Sequence, residues 1–388
     1  MQPRTRARWP RILGAVKCLL AIATLGVACH PAVPRLEQRE PLAQHAAAHT
    51  GTPGDDAVVL EPLPDADRRR LFGSPADDVP AELGGVTQDA KGRHYLTSNE
   101  HALHAFEPTV RGRGGGYLGV GSDQAYLLMG WARSSFGWLV DYDPEVVQLH
   151  GIYRALLLEA EDPEAFLALW SREGRHDAHA AIDTHAPSGD RVELRALYRR
   201  QRAAVAARLA ETVQHTRDAG VPCWLTDVAQ FDHVRALVRG GRTRAMLVDL
   251  AGERGLAGIS EAATATGMSI EVLYLSNAEE YWRLYPKNFR RNLAGLPMAD
   301  GAAVLRTLLI WHVNRDYRYV VQRADNLRAW LAQRWVGNVY HLSYQRPEPE
   351  REGLNLFEIT AWPDDAPSAL RAAASRKIRE LAALGYGR

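Results

Sequence analysis

The 388-residue sequence has little cysteine, little lysine and almost no net charge, and each shortage removes a class of protein. Its three cysteines are Cys18, Cys29 and Cys223. Cys18 and Cys29 belong to the N-terminal apolar run, so Cys223 has no partner and a disulfide-held scaffold is excluded. Cys223 lies in an apolar pattern and reads as a buried, inert thiol. A formal net charge of +1 gives no long-range field to gather nucleic acid, so no nucleic-acid partner is expected. Lysine occurs only at Lys17, Lys91, Lys287 and Lys377. What is present is ordinary for a globular chain: 46% hydrophobic and 24% charged residues. The length exceeds the usual span of one compact domain, which points to a large domain with additions.

The N-terminus carries the clearest local signal. Arg4, Arg6, Arg8 and Arg11 precede the apolar stretch Cys18–Ala28. That run is about half the ~20 residues a membrane-spanning helix needs, and charge followed by a short apolar run is the pattern of a secretory signal. Leu25–Cys29 (LGVAC) resembles a bacterial lipobox, which implies cleavage before Cys29 and its acylation. The expectation is export of the chain, residues 1–28 being the signal peptide, with membrane attachment through Cys29. Stable anchoring then takes more than one acyl chain.

Residues 29–92 are rich in Pro, Ala, Asp and Gly and read as a flexible tether with one short helix. Beyond them, helical and strand patterns alternate. The segment Thr97–Glu100 (TSNE) has capping-box spacing and predicts a helix to about Val110. Apolar runs at Tyr117–Val120, Trp138–Val140, Cys223–Leu225, Ala245–Val248 and Ile270–Tyr274 predict strands. Helices are expected over Pro144–Ala160 and Pro163–Trp170, both with Pro in the first turn, and over Val192–Ala219. Tyr317–Val321 and Val339–Leu342 would close the sheet around a helix at Asp325–Gln333. The class is α/β: a doubly wound, mostly parallel sheet with helices on both faces, spanning 93–362, followed by a C-terminal helix over 363–388.

In such a sheet, ligands sit beyond the carboxyl ends of the strands. Those ends read Gly119–Gln124, Asp141–Asp143, Thr226–Asp227, Asp249 and Ser276–Asn277, and acids recur at four of them. The first loop holds Gly119, Gly121, Ser122, Asp123 and Gln124 and allows close backbone approach before a helix. An acid after the second strand, Asp141 or Asp143, suits a pair of ribose hydroxyls. Asp143 before Pro144 equally suits a helix cap. Asp249, Asn277 and Glu279 are the candidates to orient or deprotonate an acceptor. The cluster Arg175–His179, with Asp183 and His185, matches no closed metal site; a solvated loop and no metal cofactor are expected. His150 reads as a packing residue.

These features together resemble the S-adenosylmethionine-dependent methyltransferase fold. The resemblance implies Asp141 at the ribose and Asp227 at the adenine, with S-adenosylmethionine as cofactor. The stretches Gly115–Gln124 (GGYLGVGSDQ), Leu139–Asp143 (LVDYD) and Leu273–Tyr281 (LYLSNAEEY) are similar to a family of uncharacterised bacterial proteins with that fold, over about Ser98–Thr307. Three readings stay open. One is an exported protein that binds a small, nucleoside-type ligand. Another is an active methyltransferase, although this cofactor is not ordinarily supplied outside the cytoplasm. The third is a non-catalytic envelope scaffold presenting Val192–Ala219 to a protein partner, since fold alone does not fix function.

Overall fold

The computed structural model describes residues 60–85 and 91–387. The expected signal peptide over residues 1–28, and Cys29, lie outside the described residues. Among the described residues, no helix is long and apolar enough to cross a membrane.

The chain folds as an α/β domain on one seven-stranded sheet of order β3-β2-β1-β4-β5-β6-β7. The strands are β1 (Gly116–Val120), β2 (Phe136–Asp141), β3 (Thr243–Leu247), β4 (Ile270–Tyr274), β5 (Met298–Leu309), β6 (Tyr317–Arg323) and β7 (Leu356–Ile359). Strands β1 to β5 are mutually parallel, β6 runs antiparallel to β5, and β7 is parallel to β6. Parallel neighbours need long crossovers, and helices supply them on both faces. The winding reverses between β1 and β4, which is the switch point where such sheets open a crevice.

Successive side chains on a strand point to opposite faces, so each strand feeds two cores. Tyr117, Leu139, Val272, Tyr274 and Leu305 belong to one core, and Leu118, Trp138, Val140, Leu273 and Val304 to the other. The first core is covered by α2 (Glu107–Val110), α3 (Asp123–Ala132), α4 (Pro144–Glu159) and a helical layer of α5 (Pro163–Trp170), α6 (Arg175–His185), α7 (Arg191–Asp218) and α8 (Val228–Arg239). Helix α7 is 28 residues long and buries Leu194, Leu197, Tyr198, Val205 and Leu209. The second core lies under α1 (Asp65–Phe72), α9 (Gly255–Ala265), α10 (Lys287–Gly295) and α12 (Ala324–Leu331). Two single turns, α11 (Trp311–Asn314) and α13 (Val339–Leu342), lead to the C-terminal α14 (Ser368–Ala383), which packs through Ala374 and Leu381.

Several expectations are corrected. The segment 60–85 is not a loose tether. Leu71 and Phe72 of α1 are buried, Leu63 N donates to Gly240 O, and Asp77 N donates to Leu247 O, so the segment covers the β3 edge of the sheet. Asp77 also accepts from the backbone N–H groups of Arg254 and Gly255, which caps α9. The expected helix from Thr97 is a 3-10 turn at Leu103–Phe106 continued by α2; the Glu100 carboxylate, which a capping box would turn back to Thr97, is instead held by the hydroxyls of Ser98, Tyr274, Ser276 and Thr307. Cys223–Leu225 is a turn, its Cys223 carbonyl accepting from the backbone N–H groups of Thr226 and Asp227. The His-rich stretch is helix α6, not a loop, since Ala178, Ala181 and Ile182 bury one face. Val339–Leu342 is α13, and the closing strand is β7.

Candidate functional site

The carboxyl ends of β1 to β5 open onto a cleft of about 600 Å³, within the usual range for small-ligand sites. The loops after β1, β2, β3 and β4 form its floor. Segments Gly84–Gly85 and Lys91–Glu100 form one wall, and Tyr281, Trp282, Leu309 and Tyr317 another.

The loop after β1 is held by its own side chains. Gly121 stands at φ +90°, a left-handed conformation that favours glycine, and a Cβ there would lie 2.1 Å from the Gln124 amide. Gln124 Oε1 accepts from Ser122 N at 3.1 Å, so a side chain already fills the start of α3. Ser122 Oγ donates to Leu96 O at 2.7 Å. Asp123 forms a buried ion pair with Arg208 of α7 at 2.8 Å and accepts from Ser98 N. His150 sits beneath the loop with Nε2 2.9 Å from Gly121 O, and burial lowers its pKa to about 4, so it stays neutral. Gly119 is pressed by the Tyr117 hydroxyl, 2.1 Å from where a Cβ would be. Of the five loop residues expected to bind a cofactor, Gly121, Ser122 and Gln124 line the cleft, whereas Gly119 and Asp123 do not.

The acids separate in the same way. Asp141, Asp143 and Asp249 all line the cleft. Asp141 accepts from Gly121 N at 3.0 Å and from Asp143 N at 2.9 Å, and burial outweighs these bonds to raise its pKa from 3.8 to about 6. Asp143 caps α4 by accepting from Glu145 N at 2.9 Å, and its carboxylate also meets His94 Nδ1 at 2.9 Å. Asp249 accepts from Ala251 N at 2.8 Å. Asp227 is not part of the site: it caps α8 by accepting from Gln230 N at 2.8 Å, away from the cleft lining, because Cys223–Leu225 is not a strand of the sheet. The acid that follows β3 is Asp249.

After β4, Ser276 and Asn277 face the cleft, Ser276 at φ +48°. A non-glycine residue in that region stores strain that is concentrated at functional sites. Glu279 points elsewhere. It is 1% exposed, ion-paired with Arg306 and bound by the Tyr285 hydroxyl, so it is no candidate to orient an acceptor.

Sequence reasoning missed Glu100. It lines the cleft and gathers the hydroxyls of Ser98, Tyr274, Ser276 and Thr307. Its only signal was the Thr97–Glu100 spacing, read there as a capping box. Also missed were the tyrosines. Tyr95, Tyr142, Tyr281 and Tyr317 line the cleft, and burial pushes the Tyr142 and Tyr317 hydroxyls up to about 12, so they act as neutral donors. Tyr142 donates to Gly84 O at 3.0 Å and Tyr317 to Asn99 Oδ1 at 2.9 Å. Among the described residues, no group of three or more His, Cys, Asp or Glu side chains could hold a metal ion.

Residues 95–357 match a family described as a domain of unknown function, DUF7790, and the chain belongs to that family. The match lies within the 93–362 expected for the α/β domain. No curated protein matches the chain.

Proposed function

We propose that the cleft binds a small nucleoside-type ligand without a phosphate, Asp141 accepting from the ribose hydroxyls. The observation that carries this reading is the pairing of Asp141 at the end of β2 with a closed glycine loop. A carboxylate has about four acceptor positions. Backbone N–H groups of Gly121, Tyr142 and Asp143 use at most three of them at Asp141, which leaves a position for a hydroxyl. A phosphate would seek the free N–H groups at the start of α3. Gln124 already occupies that place, with buried Asp123 beside it. The aromatic wall of Tyr95, Tyr281, Trp282 and Tyr317 offers faces for a planar base.

S-adenosylmethionine fits this description, being a nucleoside without phosphate; when bound it supplies an electrophilic methyl group. Asp141 would hold its ribose and the aromatic wall its base. Asp249 and Asn277 stand at the cleft edge, where they would orient an acceptor. Export and lipid attachment through Cys29 belong to the same proposal and rest on the N-terminal arginines and apolar run.

The test is calorimetric titration of the full chain with adenosine and 2′,3′-dideoxyadenosine. Adenosine should bind at least tenfold more tightly, and Asp141→Ala should remove the difference. Equal affinities in the wild-type chain would refute the assignment of Asp141.

A further inference from the structure

Among the described residues, Glu100 differs from the buried acids Glu107, Asp123 and Glu279 in having no arginine within ion-pair distance of its carboxylate. Glu107 has Arg111, Asp123 has Arg208, and Glu279 has Arg306. Glu100 is 3% exposed, and among the described residues no Arg, Lys or His lies within ion-pair distance of its carboxylate. Arg208 donates instead to the Glu100 backbone carbonyl at 3.0 Å. The carboxylate is held only by hydroxyls. Ser276 and Thr307 donate to Oε1, each at 2.9 Å, as does Tyr274, whereas Oε2 receives Ser98 alone.

An ionised carboxylate removed from water is costly without a countercharge, and hydroxyl dipoles offset only part of that cost. Oε2 keeps acceptor capacity. The residue lies on the cleft lining; the buried cation that acts on it, Arg208, is ion-paired with Asp123 and stands beyond ion-pair distance of the Glu100 carboxylate, and the nearby faces of Tyr281, Trp282 and Tyr317 also favour a cation. Lys91 and Arg93 line the cleft as well, but both are exposed to solvent, where screening weakens them. Asp141 ends β2, while the hydroxyls that hold Glu100 come from β4, β5 and the loop after β4. With β1 between β2 and β4, the two acids stand on the order of two strand spacings apart, about 10 Å.

We infer that Glu100 makes the cleft selective for a ligand carrying a protonated amine, seated against its carboxylate while Asp141 holds the other end. This rests on the nucleoside reading above. A charge-assisted hydrogen bond at a sheltered site corresponds to about a ten- to hundredfold gain in affinity.

The experiment titrates the full chain with 5′-amino-5′-deoxyadenosine, adenosine and adenosine 5′-monophosphate, which carry a cation, no charge and an anion at the same position. The amine should bind at least tenfold more tightly than adenosine, and the phosphate more weakly than either. Glu100→Gln keeps a side-chain carbonyl for the hydroxyls and removes the charge, so the ratio of amine to adenosine affinity should fall to near one. Glu100→Asp, which keeps the charge but withdraws it by one methylene, should give an intermediate ratio and serves if the glutamine variant does not fold. Equal binding of all three ligands to the wild-type chain, with adenosine still dependent on Asp141, would overturn the role of Glu100 and leave the nucleoside site standing. A preference for the amine that survives undiminished in both variants would overturn it too. Binding of none of the three would overturn both readings.

Discussion

Replacing Asp123 by alanine should destabilise the protein strongly, because this acid ties the helical layer to the loop that floors the cleft. Asp123 and Arg208 are each 4% exposed and meet at 2.8 Å. The other Asp123 oxygen accepts from Ser98 N at 2.9 Å. Without the carboxylate, Arg208 keeps one bond, to Glu100 O at 3.0 Å, and its Nη1 has no protein partner to begin with. Breaking a buried pair by removing one member costs about 3–5 kcal/mol, since an uncompensated charge stays behind. Removing both charges avoids that penalty. The double variant Asp123→Leu with Arg208→Met should therefore recover at least half of the loss. Urea unfolding followed by circular dichroism measures each variant, and the cycle of single and double changes isolates the coupling. A loss below about 1 kcal/mol for Asp123→Ala, or strictly additive changes, would show that the pair does not act as a buried ion pair.

Three further outcomes are expected. Because burial lifts the Asp141 pKa from 3.8 to about 6, the folded chain binds more protons than the unfolded chain between those values. Stability contributed by Asp141 is then full below about pH 4 and falls as pH rises to about 6, by less than about 3 kcal/mol because part of the residue faces the cleft. Asp141→Asn should flatten that slope in unfolding measured from pH 4 to 7, and an unchanged slope would contradict the burial. Asp227→Ala should lose a helix cap worth about 1 kcal/mol while adenosine affinity stays within twofold, and a large loss of affinity would return Asp227 to the site. Gly121→Ala should destabilise by more than about 1 kcal/mol, because of its φ of +90° and the 2.1 Å approach to Gln124; a thermal melt showing no change would refute that account.

The residues that positioned the sheet were legible in the sequence where the signal was local. The apolar runs of β1, β2 and β4, and the prolines that open α4 and α5, fall where the sequence reading put them. From this placement Asp141, Asp249 and Asn277 came correctly to the strand ends. Strand β5 was not seen, because it begins Met-Ala-Asp-Gly-Ala-Ala, a poor strand-forming composition. Cys223–Leu225 was misread because a short apolar run does not distinguish a strand from a buried turn. Asp227 was carried into the site by that error. Glu100 was missed for a different reason: its partners Tyr274, Ser276 and Thr307 lie 174 to 207 residues away in sequence. The cap that Asp77 gives α9 spans 177 and 178 residues and was equally invisible. Local pattern reveals elements, whereas these contacts exist only once the sheet has assembled.

The most direct test of the nucleoside site is the melting temperature of the full chain with S-adenosylmethionine, S-adenosylhomocysteine and a panel of nucleosides, in wild type and Asp141→Ala. A ligand that binds only the folded state stabilises it by about 2.7 kcal/mol at a hundred times its Kd. The expected result is a rise in melting temperature with at least one phosphate-free nucleoside compound that disappears in Asp141→Ala. The account is contradicted if no such compound shifts the wild-type protein at millimolar concentration, or if the shift is the same in both proteins.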